Sequence, residues 1–252
     1  MKRSSVAGAV LTSIFAGSAI AADLPAKAPV YAAPFSWTGF YVGAHVGWGW
    51  GTGKWSNDCM LDALGACRIE KGPEPASSYS LNGFLGGGQI GYNWQSGWAV
   101  FGVEADASGT DIKGSGDCIR GRQCISKIDA LGTITGRFGG AVDHALVYVK
   151  GGSAWARRHD TVSVLGDEDD ASFISQSWSQ TKWGWTVGGG VEYAFAPNWS
   201  GKIEYNFLDF GKDTVALREP FLLWVQADVQ QVIHTVKLGV NYRFGGPVAA
   251  RY

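Results

Sequence analysis

From Trp37 to Phe244 the chain is written in twos. In GFYVGAHVGWGW (residues 39–50) the even positions Phe40, Val42, Ala44, Val46, Trp48 and Trp50 are apolar, and the odd ones hold Tyr41, Gly43, His45, Gly47 and Gly49. Side chains of a strand point alternately to opposite faces, so a period of two predicts a strand with one apolar face. The period recurs over residues 83–95, 98–110, 128–142, 145–156, 182–195, 199–210 and 231–244. Eight strands are therefore predicted, and no segment repeats at helical spacing.

Glycine fits the same pattern. Gly86-x-Gly88-x-x-Gly91 has the spacing of a dinucleotide-binding loop, but that loop needs a strand ending at the first glycine and a helix opening at the last. Here the alternation runs on through Tyr92 and Trp94. These glycines lie inside a strand, where small residues relieve crowding in a tightly curved sheet.

Alternation alone allows a soluble sandwich with an apolar core or a barrel with an apolar coat. Two further features favour the barrel. Aromatic residues gather near strand ends on the apolar face (Trp48, Trp50, Trp94, Trp183, Trp185, Tyr193, Phe195, Trp199, Tyr242 and Phe244), as in girdles at two lipid–water interfaces. Connections also sort by length: short joins at residues 95–97, 143–144 and 196–198 alternate with long ones near 51–80, 111–127, 160–181 and 211–230. The expected fold is an all-β, eight-stranded antiparallel transmembrane β-barrel with short periplasmic turns and four long extracellular loops.

In a barrel the polar phase faces inward. It holds the cations Arg137, Lys150, Lys202, Lys237 and Arg243 and the carboxylates Glu104, Asp106, Glu192 and Glu204. Enclosed charges of both signs are expected to pair. An eight-stranded wall leaves an interior about wide enough for side chains alone, so these long residues are expected to plug it.

Composition sharpens this reading. The chain has 252 residues, 37 of them glycine and 12 tryptophan, and only 17% are charged, against about a quarter in soluble domains. A net charge of −1 gives no electrostatic case for nucleic acid. Residues 1–21 carry Lys2 and Arg3, a short apolar run and Ala19-Ile20-Ala21, the order of a cleaved export signal. Residues 22–36 form a Pro/Ala-rich periplasmic lead-in, residues 37–244 the barrel, and residues 245–252 a C-terminal extension.

FSWTGFYVGAHVGWGWG, the glycine-rich second strand and the closing KLGVNYRF resemble the small porin-like outer-membrane β-barrels of alphaproteobacteria, within the OmpA-like barrel group. The resemblance covers residues 35–244 and implies an abundant surface protein of the Gram-negative outer membrane, often an immunogen. The roles it implies are structural, with envelope-integrity or limited pore functions, and it supplies no catalytic residues. The implied partners are outer-membrane lipid, lipopolysaccharide and the barrel-assembly machinery, which reads a terminal aromatic. Here GGPVAARY follows Phe244, so either Phe244, the candidate signal, is read internally or Tyr252 substitutes for it.

Cys59 and Cys67 fall in the first long connection and Cys118 and Cys124 in the second. Four cysteines allow three connectivities. Pairing within each connection is expected, because it needs no docking of separate loops. The spacings lack C-x2-C and no histidine is near, so no metal is expected. The run Asp167-Glu168-Asp169-Asp170 reads as a solvated loop tip, and Arg157, Arg158 and Lys182 beside it can pair with that tip or with lipopolysaccharide phosphates. His45, His144, His159 and His234 are scattered along the pattern and do not converge as a catalytic base would require. No enzyme activity and no cofactor is expected. The expected role is structural or surface-interacting. A narrow channel for ions or small solutes is the alternative, and a lipid-processing barrel enzyme stands behind it.

Overall fold

The computed structural model describes residues 35–61, 67–68, 77–117, 123–164, 174–218 and 224–244. Eight long strands, β1 (Gly39–Leu61), β3 (Ser77–Ser96), β4 (Ala99–Asp117), β5 (Gln123–Val142), β6 (Ala145–Val164), β7 (Ile174–Ala196), β8 (Trp199–Arg218) and β9 (Trp224–Phe244), each pair antiparallel with the next. β1 also pairs with β9, from Phe40 opposite Phe244 to Leu61 opposite Trp224, and so closes the sheet into a barrel. The two-residue β2 (Cys67–Arg68) only extends the ladder at the far end of β1. Closure pairs each long strand with a neighbour on both sides through the central part of the barrel, the condition under which a sheet can lie in lipid.

The phase of the barrel follows the alternation. Phe40, Val42, Val46, Trp48 and Trp50 face outward and are exposed, while Tyr41 and His45 are buried. The same split holds on β9, where Leu238 and Val240 face out and Lys237 and Asn241 face in. Tight turns close one end. Gly97 (φ 60°) and Asp143 (φ 50°) begin two-residue turns, the left-handed position that primed hairpin turns need.

The long connections differ from expectation. The strands run 19 to 23 residues, whereas a membrane crossing needs about 9–11, so each hairpin continues well past the membrane as a paired ribbon. Residues 51–61, 111–117, 160–164 and 211–218, expected in loops, are strand. Above the membrane neither face meets lipid, so the apolar alternation that marks a strand in sequence disappears while the backbone pairing persists. Register shifts at Gly109/Ile112, Ile128/Ala130 and Asp209/Lys212 fall near this transition. On β5 the shift exchanges the phases: odd residues Thr133, Thr135 and Arg137 are buried below it, and Ser126 and Ile128 above it.

Residues 1–34, the extension 245–252, Cys118 and the acidic run 167–170 lie outside the described residues. Cys59, Cys67 and Cys124 are placed only by backbone, in β1, β2 and β5.

Candidate functional site

The barrel interior is a stack of three layers. At the short-turn end, Trp37 enters the barrel mouth and packs with Val100, Ala141, Leu146, Tyr148 and Ala194. Its backbone N–H donates to Gln95 Oε1 at 2.6 Å, which fixes the incoming chain against β3. Phe35 meets the Trp37 ring edge-on at 5.2 Å.

The middle layer is ionic and draws side chains from all eight long strands. Glu104 is its hub. It accepts from Lys150 Nζ at 2.7 Å, Tyr41 Oη at 2.8 Å, Lys202 Nζ at 3.0 Å and Arg137 Nη1 at 3.5 Å. Glu204 accepts from Tyr148 Oη at 2.8 Å, Asn206 Nδ2 at 3.0 Å, Lys150 at 3.1 Å and Lys202 at 3.3 Å. Glu192 takes Arg137 Nη2 at 2.9 Å and Asn241 Nδ2 at 2.8 Å. Asp106 takes Lys237 Nζ at 2.6 Å and the Thr133 hydroxyl. Arg137 also lies over the Tyr148 ring at 4.3 Å. Four cations thus face four carboxylates, all buried. Mutual pairing of this kind is what makes burial of so many charges tolerable.

A neutral branch adjoins the ions. His45 bonds Gln89 Oε1 at 2.6 Å and Ser108 Oγ at 2.7 Å, and Gln89 donates to Asn241 Oδ1 at 2.7 Å. Glycine 43 makes that last bond possible: a Cβ there would stand 2.2 Å from Asn241 Oδ1 and 2.5 Å from Gln89 Nε2.

Above the ions lies an apolar layer that the alternation did not announce. Leu81, Leu85, Ile112, Ile128, Leu131, Leu208 and Ile233 are each at most 1% exposed. They occupy the inward phase, read from sequence as polar throughout. The void beside Trp37, Tyr41 and Glu192 measures about 10 Å³, roughly the least that holds one water. A larger recess of about 620 Å³ belongs to the barrel wall, lined by Val46, Val191, Ile203, Leu238 and Val240 on the apolar face.

Two charge expectations need correction. Arg243 does not join a carboxylate. It stacks on Phe35 at 4.3 Å and donates to the Pro197 carbonyl at 2.8 Å, because its place at the strand end sets it below the acidic layer. Arg158 does not face outward with Arg157. Adjacent strand residues point to opposite faces, and Arg158 turns inward to Asp160 at 2.5 Å, with Ser126 on the other carboxylate oxygen. Lys182 stands opposite Ala156 on β6 and is partly exposed.

The histidines stay apart. His45 is sealed inside, His144 meets Phe35 at the short-turn end, His159 bonds Ser179 on the outside, and His234 stacks on Trp50 and bonds Tyr205 Oη at 2.7 Å. Phe244 ends β9 on the outer face beside Tyr242.

Beyond the tryptophan girdle the outer face becomes charged. Trp155 and Trp183 are cross-strand partners, and Arg157 is the next outward residue on β6. Its guanidinium grips Asp129, Nη2 at 2.9 Å and Nε at 3.0 Å from Oδ2. The Arg157 hydrogen bond holds the Asp129 carboxyl below the usual carboxylate range. On β4 and β5, Lys113 and Lys127 are direct cross-strand partners and share Asp111, at 2.8 and 3.4 Å. Hydrogen bonding from Lys113 above all, then from Lys127, likewise lowers Asp111.

Known proteins agree with this architecture. The sequence pattern of the "Outer membrane protein beta-barrel domain" matches residues 8–244. The chain is 35% identical to a "31 kDa outer-membrane immunogenic protein" of Brucella melitensis, over 95% of this chain and 99% of that one. It is 26% identical to a "25 kDa outer-membrane immunogenic protein" of Brucella abortus, over 91% and 90%. Among solved structures, the outer membrane protein OprG from Pseudomonas aeruginosa superposes with a TM-score of 0.51 at 13% identity, covering 82% of this chain and 97% of that one, and so shares the fold. A closed barrel with an apolar coat, aromatic girdles and a filled polar interior thus meets the sequence signature of one group of proteins: the chain belongs to the outer membrane protein β-barrel family and resides in the outer membrane of Gram-negative bacteria.

Proposed function

We propose that this outer-membrane barrel is a sealed structural and surface-interacting protein, and neither an enzyme nor a channel. The observation that carries the reading is the double closure of its interior, by four cations paired with four carboxylates and by the apolar layer from Leu81 to Ile233. Ions and solutes find no continuous polar path through such a stack. The work is then left to the outer wall, which meets lipid, and to the hairpins that stand above it. The names of its Brucella relatives, outer-membrane immunogenic proteins, support exposure at the cell surface.

Among the described residues no free carboxylate orients the exposed His159–Ser179 pair as an activated serine requires, since the neighbouring Asp129 is held by Arg157. This supports a role without catalysis. Phe244, the outward aromatic that ends the closing strand, is the residue we assign to recognition by the barrel-assembly machinery.

The test compares a deletion strain with its parent. Loss of the protein is expected to raise sensitivity to detergents and to leave uptake of small solutes unchanged. Slower solute uptake with unaltered detergent resistance would instead support the narrow channel.

A further inference from the structure

We infer that the outward rim formed by Lys113, Lys127 and Arg157 on β4, β5 and β6 binds phosphate groups of the glycolipid headgroup in the outer leaflet, that is, of lipopolysaccharide. The inference rests on the outer-membrane placement of the barrel and is independent of whether its interior conducts.

Position comes first. The rim lies at the end opposite the short turns: Arg157 is one outward residue beyond the Trp155–Trp183 pair, and Lys127, opposite His159, stands two outward residues beyond it with Lys113 alongside. Tryptophans of this kind mark the lipid–water interface, so the side chains that follow stand at headgroup depth. They point away from the barrel axis, toward lipid, and are not part of the interior network. Side-chain exposures of 54% for Lys113, 44% for Lys127 and 56% for Arg157 leave all three accessible.

Charge comes second. Lys113 and Lys127 are directly opposed across the β4–β5 ladder, an arrangement in which like charges destabilise a sheet. Among the described residues one carboxylate, Asp111, stands between them, and its contact with Lys127 is the longer at 3.4 Å. With Asp129 committed to Arg157, the rim carries three cations against two carboxylates. One more anion placed between the lysines would relieve their repulsion. A phosphate offers several acceptor oxygens for two ammonium groups and, at its edge, for the guanidinium of Arg157.

Geometry selects the class of ligand. Below the rim, the lipid-facing positions of β4 and β5 carry Val103, Ala105, Ile134 and Phe138, an apolar wall along which acyl chains can lie while their phosphorylated headgroup meets the lysines. A free phosphate would have the rim but not the wall. Arg158, adjacent in sequence, takes no part because it is turned into the barrel.

The experiment uses the full-length mature protein folded in detergent. It is titrated with purified lipopolysaccharide, with the same glycolipid stripped of its phosphates, and with inorganic phosphate, and the complexes are read by native mass spectrometry and by the thermal unfolding midpoint. Intact lipopolysaccharide is expected to bind and raise the midpoint, and the dephosphorylated form to bind far more weakly. The Lys113→Gln/Lys127→Gln double variant is expected to lose about tenfold or more in affinity, the order set by two charge-assisted hydrogen bonds. Its folded state is checked by heat-modifiable gel mobility, and Arg157→Gln, which leaves both lysines in place, provides a second, milder loss if the double variant does not fold. Equal binding of the dephosphorylated glycolipid, or undiminished binding by the variants, would overturn the proposal. Saturation by inorganic phosphate at the same concentrations as lipopolysaccharide would assign the rim to free anions and overturn the headgroup reading.

Discussion

Glu104→Ala tests the ionic layer at its hub. The side chain is fully enclosed, and its carboxylate accepts from Tyr41, Lys150, Lys202 and Arg137. Each buried hydrogen bond to a charged group contributes about 1.5–3 kcal/mol, but the three cations do not lose everything. Lys150 and Lys202 keep Glu204, and Arg137 keeps Glu192. What remains is one uncompensated positive charge in a closed space, the situation that costs about 3–5 kcal/mol when a buried pair is broken. We therefore expect Glu104→Ala to destabilise the barrel by about that amount. Lys202→Gln in the same background restores neutrality, so the double variant should be less destabilised than the sum of the singles. The assay is reversible urea unfolding in phospholipid vesicles, followed by tryptophan fluorescence. A cost below about 1 kcal/mol, typical of exposed pairs, or strict additivity of the two changes, would refute the network.

Leu238→Arg on the lipid face should cost about 2–4 kcal/mol near the midplane, measured by the same titration. Leu85→Ala opens the apolar layer and should cost about 2–5 kcal/mol, with increased solvent exchange of neighbouring amides as the readout. Gly43→Ala should weaken folding because its Cβ collides with Asn241 and Gln89, and a Gln89→Ala second change should relieve part of the loss. Acid should act late on the outer rim: Asp111 and Asp129 have lowered folded-state values, so their ion pairs persist above the ordinary aspartate value of about 4 and are lost only as pH falls through the depressed ones. Both sites are solvated, so stability should change little across that window while lysine and arginine NMR shifts report the release.

The parts of this architecture that were legible in the sequence are those where lipid enforces a rule. Between Phe40 and Trp50 every second residue must suit hydrocarbon, and the pattern names both the strand and its facing. The same parity identifies Glu104, Lys150 and Lys237 as inward, because a charge has no place on the other face. Outside the membrane that rule lapses. Segments such as Gly51–Asn57 and Ile112–Asp117 pair with a neighbouring strand yet look like loops, since polar residues suit both faces there. The apolar layer was hidden for a related reason: Leu85 and Ile233 sit on the phase assumed to be polar, and only the closed geometry brings them together with Ile128, whose own phase is shifted at the β5 irregularity. Neutral members of the ionic layer, such as Tyr41, Gln89 and Asn241, could have been found by following parity without regard to charge. Arg158 shows the cost of reading adjacent basic residues as one patch when a strand sends them to opposite sides.

The central claim is that the barrel is sealed, and single-channel recording in a planar bilayer tests it most directly. The intact protein is expected to give no stable conductance steps, only rare and small events, and Glu204→Ala, which removes a carboxylate bonded to Lys150, Lys202 and Tyr148, is expected to give more frequent ones. A large, stable conductance from the unmodified protein would contradict the account and establish an open polar path where paired charges and packed leucines are described.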